Sequence, residues 1–259
     1  MTAVLRRHEL RQKAPAFWRR AVSLEPNGRF PPSALFTDHG WAGGRIRRVR
    51  RTARFLRAAG YDEMIPDKNA ECLVDWFENE GIKRADSARL YVDLFDKIAL
   101  AAAGRLGAGS VLIWARDRRG VFELIRSLSG RVRYLSVICL DDVSDICEAL
   151  SVYYGLPVLT GRENRAAVDA NLHISLGSDV GGCPFPGAGR TVLFHRRDNR
   201  ADLPGARMID GAYFYAGGMD EELGGESQTS LTAWLMKRGQ VVREDIEVGE
   251  LLFRGRTVM

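Results

Sequence analysis

Over the second half of the chain, apolar residues fall in short and nearly unbroken runs at 111–115, 132–140, 156–160, 171–176, 191–195 and 207–215. Runs of this length, without the alternation of a half-exposed strand, mark strands buried on both faces. Helix-length segments at about 119–129, 142–154 and 162–169 separate them, while 178–190 is a loop rich in glycine and proline. Strand and helix in alternation predict an α/β layer, doubly wound and mainly parallel, since a parallel pair needs a long crossover between its strands. At least five strands are expected between residues 110 and 216, with Val111–Ile113 and Val137–Leu140 central. A last helix, about Ser227–Arg238 with Leu231, Trp234 and Leu235 on one side, should pack back on a face.

Before residue 108 the pattern changes. Ile46, Val49, Ala53 and Leu56 recur at i, i+3, i+7 and i+10, the apolar stripe of a helix over 45–58, with Gly60 placed to cap its end. Two further helices are expected, one from Asp67 to Phe77 and one beginning at Asp86-Ser87, with Leu90, Leu94, Phe95, Ile98 and Ala102 along its stripe. Residues 15–44 mix four prolines and four glycines with Phe17, Trp18, Phe30, Phe36 and Trp41. The first set argues against long regular elements and the second against disorder, so an ordered but irregular segment is expected. The expected division is an N-terminal basic, irregular and helical region over 1–107, followed by the α/β layer and its terminal helix over 108–259.

Composition narrows the function only slightly. At 259 residues, 46% hydrophobic and 27% charged, the chain reads as a soluble globular protein. No apolar stretch approaches the roughly 20 residues of a membrane span. The run Met1-Thr2-Ala3-Val4-Leu5 is too short for a secretory signal, so a cytoplasmic location is the default expectation, with no membrane partner. Cys72, Cys139, Cys147 and Cys183 are scattered, as are His8, His39, His173 and His195, and no metal signature emerges. Charge is more informative. Residues 1–60 hold 14 Lys/Arg against 3 Asp/Glu, and the rest of the chain 24 against 30. A basic arm of this kind meets a polyanion or folds against the acidic body. Because no aromatic residues interleave with the arginines of 45–57, nucleic acid is not the expected partner.

In open parallel sheets, ligands bind beyond the carboxyl ends of the strands. After the first strand the chain reads Arg116-Asp117-Arg118-Arg119-Gly120, where a dinucleotide-binding turn would carry several glycines. Arg116 and Arg118 can hold a phosphate through guanidinium groups instead, or simply form a structural turn. Asp141 follows the second strand, at the place where a carboxylate bonds a ribose hydroxyl; it, or Asp142, can equally cap the next helix. Gly177 and Ser178 open the longest glycine-rich loop, directly after the fourth strand, where loops face a cofactor or substrate. No Gly-x-Ser-x-Gly elbow, His-Glu-x-x-His or paired-carboxylate pattern supplies a catalytic constellation. His173 lies among apolar strand residues and reads as a satisfied core histidine.

These features describe a Rossmann-like layer. The β-α-β pattern, with Asn171-Leu172-His173-Ile174-Ser175-Leu176-Gly177-Ser178 and Arg207-Met208-Ile209-Asp210-Gly211, resembles the C-terminal half of shikimate-dehydrogenase-like Rossmann domains over about residues 108–216. The resemblance implies a dinucleotide site, with NAD or NADP as cofactor. The family's catalytic lysine and aspartate have no counterpart in residues 1–105, and no catalytic residue is carried over. Three readings stand. The first is a Rossmann-like protein binding a small anionic ligand such as a nucleotide, without assigned catalysis. The second is an NAD(P)-dependent oxidoreductase with a divergent phosphate loop. The third is a regulatory or interaction protein that uses the basic N-terminal helix.

Overall fold

The computed structural model describes residues 1–9, 22–28, 30–38, 42–155, 158–160, 170–176, 189–195, 205–217, 222–253 and 256–258. They form two compact units, Met1–Ser87 with Phe214–Ile246 and Ala88–Tyr213 with Glu247–Met259. Residues 214–246, expected within the second domain, thus belong by contact to the first unit.

The first unit is built on a five-stranded sheet: β1 (Thr2–Glu9), β2 (Val22–Glu25), β3 (Ser33–Asp38), β4 (Glu63–Pro66) and β5 (Lys83–Arg84), in the order β2-β3-β1-β4-β5. All neighbours are parallel except the edge pair β2–β3. Successive side chains of a strand point to opposite faces, and here both faces are covered. On one, Ala3 and Leu5 join Ala34, Phe36 and Met64 with Val49, Ala53 and Leu56 of helix α1 (Ala42–Ala58) and with Leu73 and Phe77. Helix α2 (Val74–Asn79) supplies Phe77, whose ring meets Phe36 edge-on at 5.7 Å between centroids. On the other face, Val4 and Ile65 pack with Leu231 and Leu235 of the last helix, α7 (Gly225–Lys237). A sheet therefore occupies much of a region whose sequence reads as irregular.

Helix α1 forms as its stripe predicts, with Val49, Ala53 and Leu56 buried. Ile46 is the correction: it is 43% exposed, because it lies at the margin of the arc centred on the other three. The helix ends as expected at Gly60, whose φ of +84° is left-handed, with the Tyr61 N–H donating to the Leu56 carbonyl at 2.8 Å. The helix expected from Asp67 starts later. Asp67 is buried and accepts the Ala70 N–H at 2.6 Å, which holds residues 67–70 in a turn before the short 3-10 segment Glu71–Leu73. Burial raises the pKa of its carboxyl, against the pull of these backbone donors.

In the second unit the expected long helix is two, α3 (Ala88–Asp93) and α4 (Phe95–Arg105), with Leu90, Leu94, Phe95, Ile98 and Ala102 all buried. The sheet comprises β6 (Ser110–Ala115), β7 (Tyr134–Cys139), β8 (Val158–Thr160), β9 (Leu172–Ser175), β10 (Thr191–Phe194) and β11 (Arg207–Ala216), extended by β12 (Ile246–Phe253) and β13 (Arg256–Val258). Its order is β13-β12-β11-β10-β9-β6-β7-β8. Every pair from β8 to β11 is parallel. In chain order the six parallel strands run 3-2-1-4-5-6, the doubly wound Rossmann arrangement, so the fold is Rossmann-like α/β. Strand β6 is central, but β7 has only the three-residue β8 beyond it. Helices α5 (Val121–Leu128) and α6 (Ser144–Tyr154) follow β6 and β7. The helix expected at 162–169 and most of the loop at 178–190 lie outside the described residues. Among the described residues, no helix is long and apolar enough to cross a membrane.

Candidate functional site

Strand order reverses between β6 and β9, and the crevice of a doubly wound sheet opens beyond the carboxyl ends of that pair. Trp114 and Ser175 are in register there, and the Leu176 N–H donates to the Trp114 carbonyl at 2.8 Å. The chain then leaves β6 as the turn 116–120, exposed at all five residues. Its conformation has local causes. The Asp117 carboxylate accepts the Arg119 N–H at 2.9 Å, and Gly120 takes φ +73° immediately before α5. A side chain at Gly120 would meet nothing within 4 Å, so the left-handed conformation, rather than crowding, requires glycine.

Two of the sequence-derived residues converge on this edge. Arg118 Nη2 lies 2.5 Å from Asp145 Oδ2, in the first turn of α6, and Asp142 and Asp141 add to the negative field around it. The guanidinium is thereby held above its ordinary pKa, chiefly by the hydrogen bond to Asp145, and the Asp145 carboxyl is held below its own. Neither aspartate is the N-cap of α6, which is Val143; Asp142 Oδ1 accepts the Ser144 N–H at 2.9 Å just ahead of the helix, and bonding to Ser144 lowers its pKa. The Asp141 carboxylate is exposed and accepts no hydrogen bond among the described residues. Arg116 is exposed on the same turn, also without a partner among the described residues. Gly177 and Ser178 lie outside the described residues, as does Asp179.

Beneath this edge sit Cys139, at the end of β7, and Cys147, in α6. Desolvation raises both thiol pKa values, with nearby aspartates adding to it, so both stay protonated and unreactive at neutral pH. His195 lies at the end of β10, its ring edge-on to Phe95 at 4.8 Å, and its backbone N–H donates to the Ser175 carbonyl at 2.9 Å. This is a packed position.

Sequence reading passed over Trp114, absorbed in an apolar run. Its Nε1 is buried without a hydrogen-bond partner among the described residues. A tryptophan in a continuous apolar strand is the available signal, because its N–H has to be satisfied somewhere. His173, two pairs earlier on β9 and opposite Leu112, is only half satisfied: Nε2 lies 3.2 Å from the Ala170 carbonyl while Nδ1 has no partner among the described residues. Burial lowers the pKa of this ring. The unfolded chain consequently binds a proton at a pH where the folded protein does not, and stability falls as the pH drops below about 6.5, the value of a free imidazole. The expected slope reaches about 1.4 kcal/mol per pH unit until the folded ring protonates. Urea midpoints measured from pH 7.5 to 5 should show this decline, and His173→Leu should flatten it.

Neither a protein-family model nor a curated protein matches the chain. Solved structures match in part. A probable ornithine cyclodeaminase from Bordetella pertussis Tohama I is 17% identical over 42% of this chain and 37% of its own, with a TM-score of 0.31. L-tryptophan dehydrogenase from Nostoc punctiforme is 15% identical over 81% and 56%, at 0.28. Thermococcus litoralis Delta(1)-pyrroline-2-carboxylate reductase, solved with NADH and L-proline, is 11% identical over 42% and 39%, at 0.31. The chain therefore spans between 37% and 56% of the length of these proteins. Shikimate dehydrogenase has no counterpart among the three. Likeness at this level carries no argument about the site; the Rossmann-like assignment rests on strand order.

Proposed function

We propose that the second unit binds a small anionic ligand of the nucleotide class at the carboxyl edge of β6, β7 and β9. The observation that carries this reading is the 3-2-1-4-5-6 order of the parallel strands, with its switch point beside an exposed turn rich in arginine. In this proposal Arg116 and Arg118 take the phosphate that glycine amides would otherwise hold. Asp141, whose carboxylate is exposed, accepts from a ribose hydroxyl. Arg118 is available because its pair with Asp145 is solvent-exposed, and an exposed pair contributes little to folding. A ligand phosphate offers the guanidinium a bidentate partner of greater charge.

The proposal is one of binding. Hydride transfer with NAD or NADP would seat its cofactor at this same edge, and calorimetry tells the two apart by ligand. NADH, NADPH, ATP and S-adenosylmethionine should be titrated into the protein in turn. Binding of ATP as tightly as the dinucleotides supports a general nucleotide site, and binding of NADH or NADPH alone supports the oxidoreductase reading. A bound ligand at 100 times its dissociation constant should add about 2.7 kcal/mol to stability. Asp141→Ala should weaken binding about tenfold, the usual effect of leaving a partner group unpaired. Absence of heat and of thermal shift with all four ligands would overturn the reading.

A further inference from the structure

Helix α1 carries seven arginines in 17 residues, with no lysine and no acidic residue. Its apolar stripe is spent in the first unit's core, through Val49, Ala53 and Leu56. Arg47, Arg50, Arg51, Arg54 and Arg57 are all exposed. At 3.6 residues per turn they fall within about 120° of arc, and Arg47 to Arg57 runs about 15 Å along the axis. Ile46 and Phe55, 43% and 44% exposed, stand at the two margins. Arg50 is paired with Glu80 at 2.7 Å. The guanidinium groups of Arg47, Arg51, Arg54 and Arg57 make no hydrogen bond or ion pair among the described residues.

We propose that this arginine arc is a docking surface for the phosphate backbone of a nucleic-acid duplex. Four unpaired guanidinium groups on one rigid face repel one another, and a polyanion relieves that repulsion. A duplex presents one negative charge per roughly 1.7 Å of axis, a density that an array 15 Å long can engage with every member. The exclusive use of arginine suits phosphate, whose oxygens match the planar fork, whereas lysine would serve a merely soluble face as well. A lipid surface fits less well: an interfacial helix buries its apolar face in the bilayer, and the apolar face of α1 is already buried in protein. Single strands call for aromatic platforms between the cations, and only Phe55 is available. A duplex calls for none, so the lack of interleaved aromatics, which counts against nucleic acid in the sequence alone, bears only on single strands.

The test is fluorescence anisotropy of a labelled, mixed-sequence 20-base-pair DNA duplex against the full chain. Engagement by four arginines predicts a slope of about −3.6 in log K against log salt, hence about 150-fold weaker binding in 200 mM than in 50 mM KCl. Arg47→Gln, Arg51→Gln and Arg54→Gln together should reduce the slope to about −0.9, and Lys at the same three positions should preserve it. All three side chains are exposed, and unchanged circular dichroism and melting of the variants would show that folding is unaffected. No duplex binding at 50 mM KCl would overturn the proposal, as would equal binding by the Gln variant. Retention on phosphatidylserine vesicles without duplex binding would do the same. The outcome is independent of the nucleotide edge, since NADH and ATP should not compete.

Discussion

Phe36→Ala should destabilise the protein by about 3–5 kcal/mol, the range for removing a fully buried aromatic ring from a close-packed core. Phe36 has no exposed surface, sits on β3, and packs edge-on against Phe77 between the sheet and the helices α1 and α2. Phe36→Leu keeps most of the volume and should cost about 1.5 kcal/mol or less. Urea unfolding followed by tryptophan fluorescence measures both, because Trp76 is half-buried against the same cluster and reports on it. An irregular segment laid over the surface would respond very differently, with both substitutions within about 0.5 kcal/mol. Two small and equal effects would sink the sheet-centred account of the first unit.

That contrast marks what the sequence makes visible. The centre of the second unit is legible because its strands there are short, nearly unbroken apolar runs bounded by turn residues, so Val111–Ala115 and Leu172–Ser175 declare themselves within a few positions, whereas β12 and β13, with Glu247, Gly249, Glu250 and Arg256 among their residues, do not. The first unit is not. In β1 Thr2–Leu5 are buried, and the strand continues through the partly exposed Arg6 and Arg7, so the local pattern breaks off after three apolar residues. In β4 two buried apolar residues stand between Glu63 and Pro66. What makes these segments strands is their pairing with partners about 30 and 60 residues away, Val4 with Ser33 and with Ile65, and no local period encodes such pairing. The site follows the same logic. Its proposed position rests on the strand ends, because β-α-β topology fixes where a crevice opens. Which carboxylate meets the start of α6 could not be read this way: Asp141 and Asp142 are chemically equivalent in the sequence, and only backbone geometry makes Val143 the N-cap and gives the Ser144 N–H to Asp142. Trp114 and His173 look like ordinary strand residues because their burial is visible in the pattern and their unpaired nitrogens are not.

Arg118→Glu should abolish nucleotide binding while leaving the fold intact, and the separation of these two effects is the sharpest test of the edge. Removing a guanidinium that binds phosphate weakens affinity about 10- to 100-fold, and a carboxylate in its place adds repulsion on top of that loss. The reversed charge would stand beside Asp141, Asp142 and Asp145, leaving Arg116 and Arg119 as the remaining cations of the turn. Stability should change little, since Arg118 and Asp145 are respectively 51% and 65% exposed and solvent screens their interaction. Arg118→Lys serves as the companion: it keeps the charge, loses the planar fork, and should retain an intermediate affinity. Calorimetry with whichever nucleotide binds the parent protein, alongside melting curves of both variants, reads the two effects separately. If Arg118→Glu binds as tightly as the parent while melting normally, the arginine turn is structural and the ligand lies elsewhere on the sheet edge.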